Sequence, residues 1–166
     1  MTATTHHETR IHVDPEVPLV RITREFDAPP EKVFRAHVDP ELVVRWLGPE
    51  GVAMVIDTWD ARTGGSYRYL AVEDGEEYGF RGCFHELRPG ELIVQTMTFE
   101  GMPDGVALEK YLFEDLGGGR SRLTSTSLCD SFADRDAFVA SGMVEGATGG
   151  YAKLDALLAD DAGGVR

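Results

Sequence analysis

Between Leu19 and Phe26 the chain alternates, with Val20, Ile22, Arg24 and Phe26 on one parity and mostly polar side chains on the other. That period of two marks a strand with one face toward a core. Pro29 and Pro30 cannot extend a strand ladder but suit the first turn of a helix, Glu31 favours that helix's positive end, and Val33, Phe34 and His37 fall on one face. Asp39-Pro40-Glu41 repeats the order of cap, proline and acid, and Gly48-Pro49 stops this second short helix just after Trp46. Six more strand-like runs follow, at Ala53–Trp59, 66–72, 77–87, Leu92–Phe99, 107–114 and 120–129. Short connections rich in Gly, Asp and Pro join them, as antiparallel neighbours require, so the runs form a meander. From 131 to 160, Phe138, Met143, Ala147, Tyr151, Leu154 and Leu158 recur at helical steps and predict a long closing helix. Gly142, Gly146, Gly149 and Gly150 interrupt it, each at roughly 1 kcal/mol of helix propensity. Close packing on the sheet, a break, and a ligand-facing role are the three accounts of that cluster.

The predicted fold class is α+β in a single domain over 19–160, of about seven strands, two short helices and one long one. Residues 1–18 show no periodicity and read as a flexible tail, and 161–166 read as a frayed end. At 166 residues and 42% hydrophobic content the chain can bury one substantial core. A formal charge of -13 repels phosphate backbones and anionic headgroups, which argues against nucleic acid and against a membrane surface as partners. No run reaches the roughly 18 apolar residues of a membrane span, and the polar start does not resemble a signal peptide, so the reading is of a cytoplasmic protein. Cys83 and Cys129 are too few and too far apart for a disulfide framework or a zinc site.

The order of elements, together with Ala28-Pro29, Asp39-Pro40-Glu41, Arg45-Trp46, Gly48-Pro49, Asp60-Ala61-Arg62-Thr63-Gly64-Gly65 and Gly142-Met143-Val144-Glu145-Gly146, resembles the START-like SRPBCC superfamily. Within it, the chain is most similar to the family homologous to the C-terminal domain of the activator of the heat-shock ATPase (AHSA-type domain). The resemblance implies a helix-grip fold of the kind seen in birch-pollen allergens, with a curved antiparallel sheet around the long C-terminal helix and an apolar cavity between them. It also implies a homodimer, although no exposed apolar stripe in the sequence marks one. Two departures stand out: His37 replaces a usually aliphatic residue, and Gly149-Gly150-Tyr151 replaces a more aromatic helix segment. Both imply a pocket that is larger or differently polar.

Given that fold, side-chain alternation selects the strand residues that meet the helix. They are Tyr67, Tyr69, Phe80, Phe84, Ile93, Gln95, Met97, Phe99, Glu109, Tyr111, Phe113, Leu123, Ser125 and Ser127. All but Ile93 and Leu123, joined by Met143, Gly146, Gly150 and Tyr151 of the closing helix, are the candidate ligand-binding residues. Polar Gln95, Glu109, Ser125 and Ser127 need partners at inward positions, which each other and water, an open rim, or a ligand could supply.

No nucleophile elbow, phosphate loop or zinc-binding helix motif occurs, and no cofactor or metal is implied. Gly117-Gly118-Gly119 lies between two strands and reads as a hairpin turn, and His6, His7, His12 and Glu8 lie on the expected tail, where any metal site would be adventitious. His37 and Glu109 are the weak catalytic candidates, because a histidine near neutral pH and a carboxyl could drive enolisation or dehydration if they met. His85 has outward parity. The leading reading is a binding protein for a small apolar molecule such as an aromatic metabolite or lipid. The alternatives are a cofactor-free polyketide cyclase or aromatase using the same cavity, and a co-chaperone-like interaction module.

Overall fold

In the computed structural model, the structure describes residues 7–163; the outer parts of the expected flexible start and frayed end, 1–6 and 164–166, lie outside the described residues. Eight antiparallel strands form one sheet: β1 (Arg10–Val13), β2 (Leu19–Phe26), β3 (Ala53–Trp59), β4 (Ser66–Glu73), β5 (Glu76–Arg88), β6 (Leu92–Phe99), β7 (Ala107–Gly117) and β8 (Arg120–Leu128). They lie in the order β1-β2-β8-β7-β6-β5-β4-β3, a meander whose first strands cross over to pair with the last.

Strand β1 corrects the sequence reading, since part of the expected tail is an edge strand paired from Arg10 opposite Thr23 to Val13 opposite Val20. Its four mostly exposed residues alternate polar and apolar for only two repeats, too short a run to mark a strand, and the open edge of β2 supplies their ladder. The buried Arg135 guanidinium secures the following turn by donating to the Asp14 carbonyl at 2.6 Å.

Helices α1 (Pro30–Val38) and α2 (Pro40–Val43) start as their prolines require, and the Asp39 carboxylate caps α2 by accepting from the Glu41 N–H. The carbonyls left without helical partners at the end of α1 find indole donors: Trp46 donates to Ala36 at 2.8 Å and Trp59 to Val38 at 2.7 Å. The closing helix divides into α3 (Phe132–Phe138), a π-helical turn (Val139–Met143) and α4 (Val144–Gly163). Gly142 sits in the turn at φ 92, a left-handed conformation that other residues adopt only under strain. Downstream, Gly146, Gly149 and Gly150 face the loop after α2, with the Trp46 carbonyl 3.1 Å from where a Gly150 side chain would begin. The break is therefore present in the glycine cluster, and the close packing is against the loop after α2 rather than on the sheet. The core joins Tyr151, Leu154, Leu157 and Leu158 of α4 to Val33 and Phe34 of α1, Trp46, Phe26, Ile93, Phe113 and Leu123.

Candidate functional site

Residues directly opposite in an antiparallel pair share a face, so the register traces what the helix covers. One row runs Val20, Ser127, Glu109, Gln95, Phe84 across five strands, and the next runs Ile22, Ser125, Tyr111, Ile93, Leu87. Toward the other edge the same face continues through Phe99, Phe80, Tyr69 and Ile56.

Glu109 stands at the centre of the first row and is buried. Its Oε1 accepts from Gln95 Nε2 at 3.0 Å and from the Tyr111 hydroxyl at 3.3 Å, and its Oε2 accepts from the Ser127 hydroxyl at 3.1 Å. Among the described residues no basic side chain pairs with it. Burial pushes its pKa above the ordinary glutamate value, and the hydrogen bonds from Gln95, Ser127 and Tyr111 offset part of that rise. The surrounding phenols Tyr67, Tyr69 and Tyr111 are raised by burial and then by the Glu109 charge, so they stay protonated. Burial likewise moves Tyr151 up to about 12, with the neighbouring Ser125 acting against it.

A local irregularity builds the wall beside this carboxyl. Tyr67 on β4 reaches across β5 to donate to the Thr96 carbonyl at 2.6 Å, and Gly82 lies beneath it, where a side-chain carbon would fall 2.7 Å from the phenol oxygen. Glycine is required there by the crossing. The Gln95 amide then spans from Glu109 toward the Tyr67 hydroxyl, 3.5 Å away.

The inner face has two halves. Over β2, β8 and β7 it is filled by α1 and α4. Over β4, β5 and β6 it carries Tyr69, Phe80, Met97 and Phe99, which are only half-buried and lie outside the packed core. Tyr69 stacks on Phe80 at 5.3 Å, and Phe80 meets Phe99 at 5.2 Å. Glu109 sits at the seam between the halves.

A family model described as Activator of Hsp90 ATPase homolog 1-like protein matches residues 27–159. The chain belongs to that family. Among solved structures, a Chromobacterium violaceum protein is 30% identical at TM-score 0.74, with 84% of this chain and 96% of that one covered. An Arthrobacter aurescens protein is 25% identical at TM-score 0.83, covering 91% of each chain. A Mycobacterium smegmatis protein, 24% identical at TM-score 0.82 over 90% of this chain and 96% of its own, shares the fold. Comparison with curated proteins finds no match. The START-like helix-grip fold implied by the sequence is the fold of this AHSA1-like domain.

Within the AHSA1-like domain the predicted residues separate. Gln95, Glu109, Tyr111 and Ser127 form one hydrogen-bonded cluster, with Tyr67 at its margin, while Tyr69, Phe80, Met97 and Phe99 flank it. Phe84 is buried against Tyr67 and Trp59, Phe113 against Phe34, and Tyr151 between Phe26 and Trp46. Ser125 is buried, Met143 is half-buried in the π turn, and Gly146 and Gly150 face the loop after α2.

His37 and Glu109 are not hydrogen-bonded to each other. His37 Nδ1 lies 2.7 Å from the Val33 carbonyl, which only accepts, so Nδ1 carries the proton and the Nε2 lone pair is left without a partner. Trp46, Phe113 and Tyr111 surround its ring at 4.7, 5.4 and 5.6 Å. Burial lowers its pKa to about 4. His85 is exposed, and His7 lies between the Asp27 and Asp155 carboxylates at 2.8 and 3.1 Å. Among the described residues, no group of three or more His, Cys, Asp or Glu could hold a metal ion, and no helix is long and apolar enough to cross a membrane.

The sequence reading missed Trp59, whose ring packs on Tyr67 and Phe84, and Leu87, opposite Ile93. Irregularities between Ile56 and Thr58 and between Phe84 and Glu86 shift the register by one residue, which reverses parity beyond them. In β3 the adjacent polar pair Asp57-Thr58 is the one sequence cue, because it breaks the alternation before Trp59.

Proposed function

We propose that this domain binds a small, mostly apolar molecule on the concave face of the sheet, with its polar end at the Glu109 cluster. The division of that face carries the reading. Half-buried Tyr69, Phe80, Met97 and Phe99 offer apolar area that the core does not use, beside a carboxyl and an amide that could orient a ligand. An acid–base enzyme of cyclase type would draw on the same carboxyl, but His37 gives it no second group at hydrogen-bonding distance from Glu109.

Fluorescence titration with the neutral apolar probe N-phenyl-1-naphthylamine tests this reading. Saturable one-to-one binding is expected, and Met97→Trp, which adds bulk to the half-buried patch, should weaken it at least tenfold while circular dichroism stays unchanged. Absence of saturable binding by the wild-type protein, or unaltered binding by the folded M97W variant, would overturn it.

A further inference from the structure

The Glu109 carboxyl is placed to do more than hold a ligand's polar end. Three donors converge on its two oxygens, from Gln95, Tyr111 and Ser127, which is the arrangement suited to the ionised, acceptor-only form. A buried carboxylate ordinarily takes a basic partner, because neutral hydrogen bonds replace only part of its lost hydration. The inner face has a basic group, but it is committed elsewhere: Arg24 on β2 is bound through both terminal nitrogens to Asp155 of α4, at 2.9 and 2.6 Å. When ionised, Glu109 is thus left without a protein counter-ion among the described residues.

The walls around that charge are aromatic. Tyr111 touches the carboxyl directly, Tyr67 lies one amide away through Gln95, and Tyr69 is stacked on Tyr67 at 6.3 Å with Phe80 beyond it. Aromatic faces attract cations, and they do so more strongly when water is excluded. A net charge of -13 also draws cations toward the whole molecule.

We propose that the ligand is an organic cation, an ammonium with apolar substituents whose positive centre pairs with Glu109 between the rings of Tyr67, Tyr69 and Tyr111. This rests on the ligand-binding reading above, and deepens it by naming the ligand's chemical class. The ligand supplies the counter-ion that the fold omits.

Phenyltrimethylammonium and tert-butylbenzene have nearly the same shape and differ in charge, so titrating the full-length protein with each isolates the electrostatic part. The cation should bind on the order of tenfold more tightly or better. In Glu109→Gln that preference should vanish while tert-butylbenzene binding is retained, which also shows that the variant folds. Equal or weaker binding of the cation, with tert-butylbenzene still bound, overturns the cation inference and leaves the apolar-ligand reading standing. A cation preference that survives in E109Q removes Glu109 from the inference and overturns it. Failure of both probes to bind the wild-type protein defeats both readings.

Discussion

Glu109 is buried and His37 is half-buried with its Nε2 shut off from solvent, and desolvation disfavours the charged form of each, so their pKa values move in opposite directions. For His37 the folded value falls from 6.5 to about 4, so its unfolded form takes up protons first as the solution is acidified. Its contribution to stability is complete above about pH 6.5 and is lost progressively as pH falls toward 4. Glu109 has the opposite sign: its contribution is complete below the ordinary glutamate value and is lost as pH rises through its elevated one. His37→Phe keeps a ring among Trp46, Tyr111 and Phe113 and removes the unpartnered Nε2. Urea unfolding should therefore show a flatter acid limb for H37F, with the wild type losing on the order of 2 kcal/mol more between about pH 7 and pH 4.5. Parallel acid limbs would show that His37 is not the group responsible. The sequence placed this histidine on the buried face of its helix. Its proton position follows from the Val33 carbonyl one turn earlier, whereas the unpartnered nitrogen follows from rings contributed by β7 and the segment after α2.

Among the elements, the closing helix shows how local and tertiary demands divide. Gly142 is required by its own backbone, whereas Gly146 has helical geometry, and a methyl group added to it would meet only the edge of Pro49, at 3.8 Å. Substitution by alanine should separate them. Gly142→Ala is expected to destabilise by about 1 kcal/mol or more, and Gly146→Ala to stabilise by roughly 0.5–1 kcal/mol through helix propensity. Urea midpoints at constant slope measure both, and a stabilising G142A would refute the left-handed turn. The helix was legible as a recurrence of apolar residues; its break was visible as a glycine cluster, but which glycine turns the chain depends on where the helix must change course over the sheet. The strands were nearly all legible, because alternation is a local consequence of one face being buried. Trp59 and Leu87 were not, since each lies past a register shift that no pattern of residue types announces reliably.

At the scale of the molecule, the closing helix is held unevenly from its π-helical turn through α4. Tyr151, Leu154, Leu157 and Leu158 are buried, and Asp155 is clamped by Arg24, whereas Ala140, Ser141, Gly142, Val144 and Glu145 are exposed. Opening free energies should differ accordingly along one helix. Hydrogen exchange is expected to protect amides near 151–158 at least tenfold more than those near 140–147. A uniform protection profile along 140–158 would show that the helix moves as a single unit.

The sequence by itself determined the antiparallel meander, the two proline-started helices, the long closing helix and the inward parity of Gln95, Glu109, Tyr111 and Ser127, because each depends on neighbours within a few residues. The tertiary structure alone decided that those four side chains meet, that Arg24 is committed to Asp155 rather than to Glu109, and that Tyr69, Phe80, Met97 and Phe99 stay outside the core. A side chain's charge state and partners are set by atoms close in space, and here those atoms come from segments far apart along the chain.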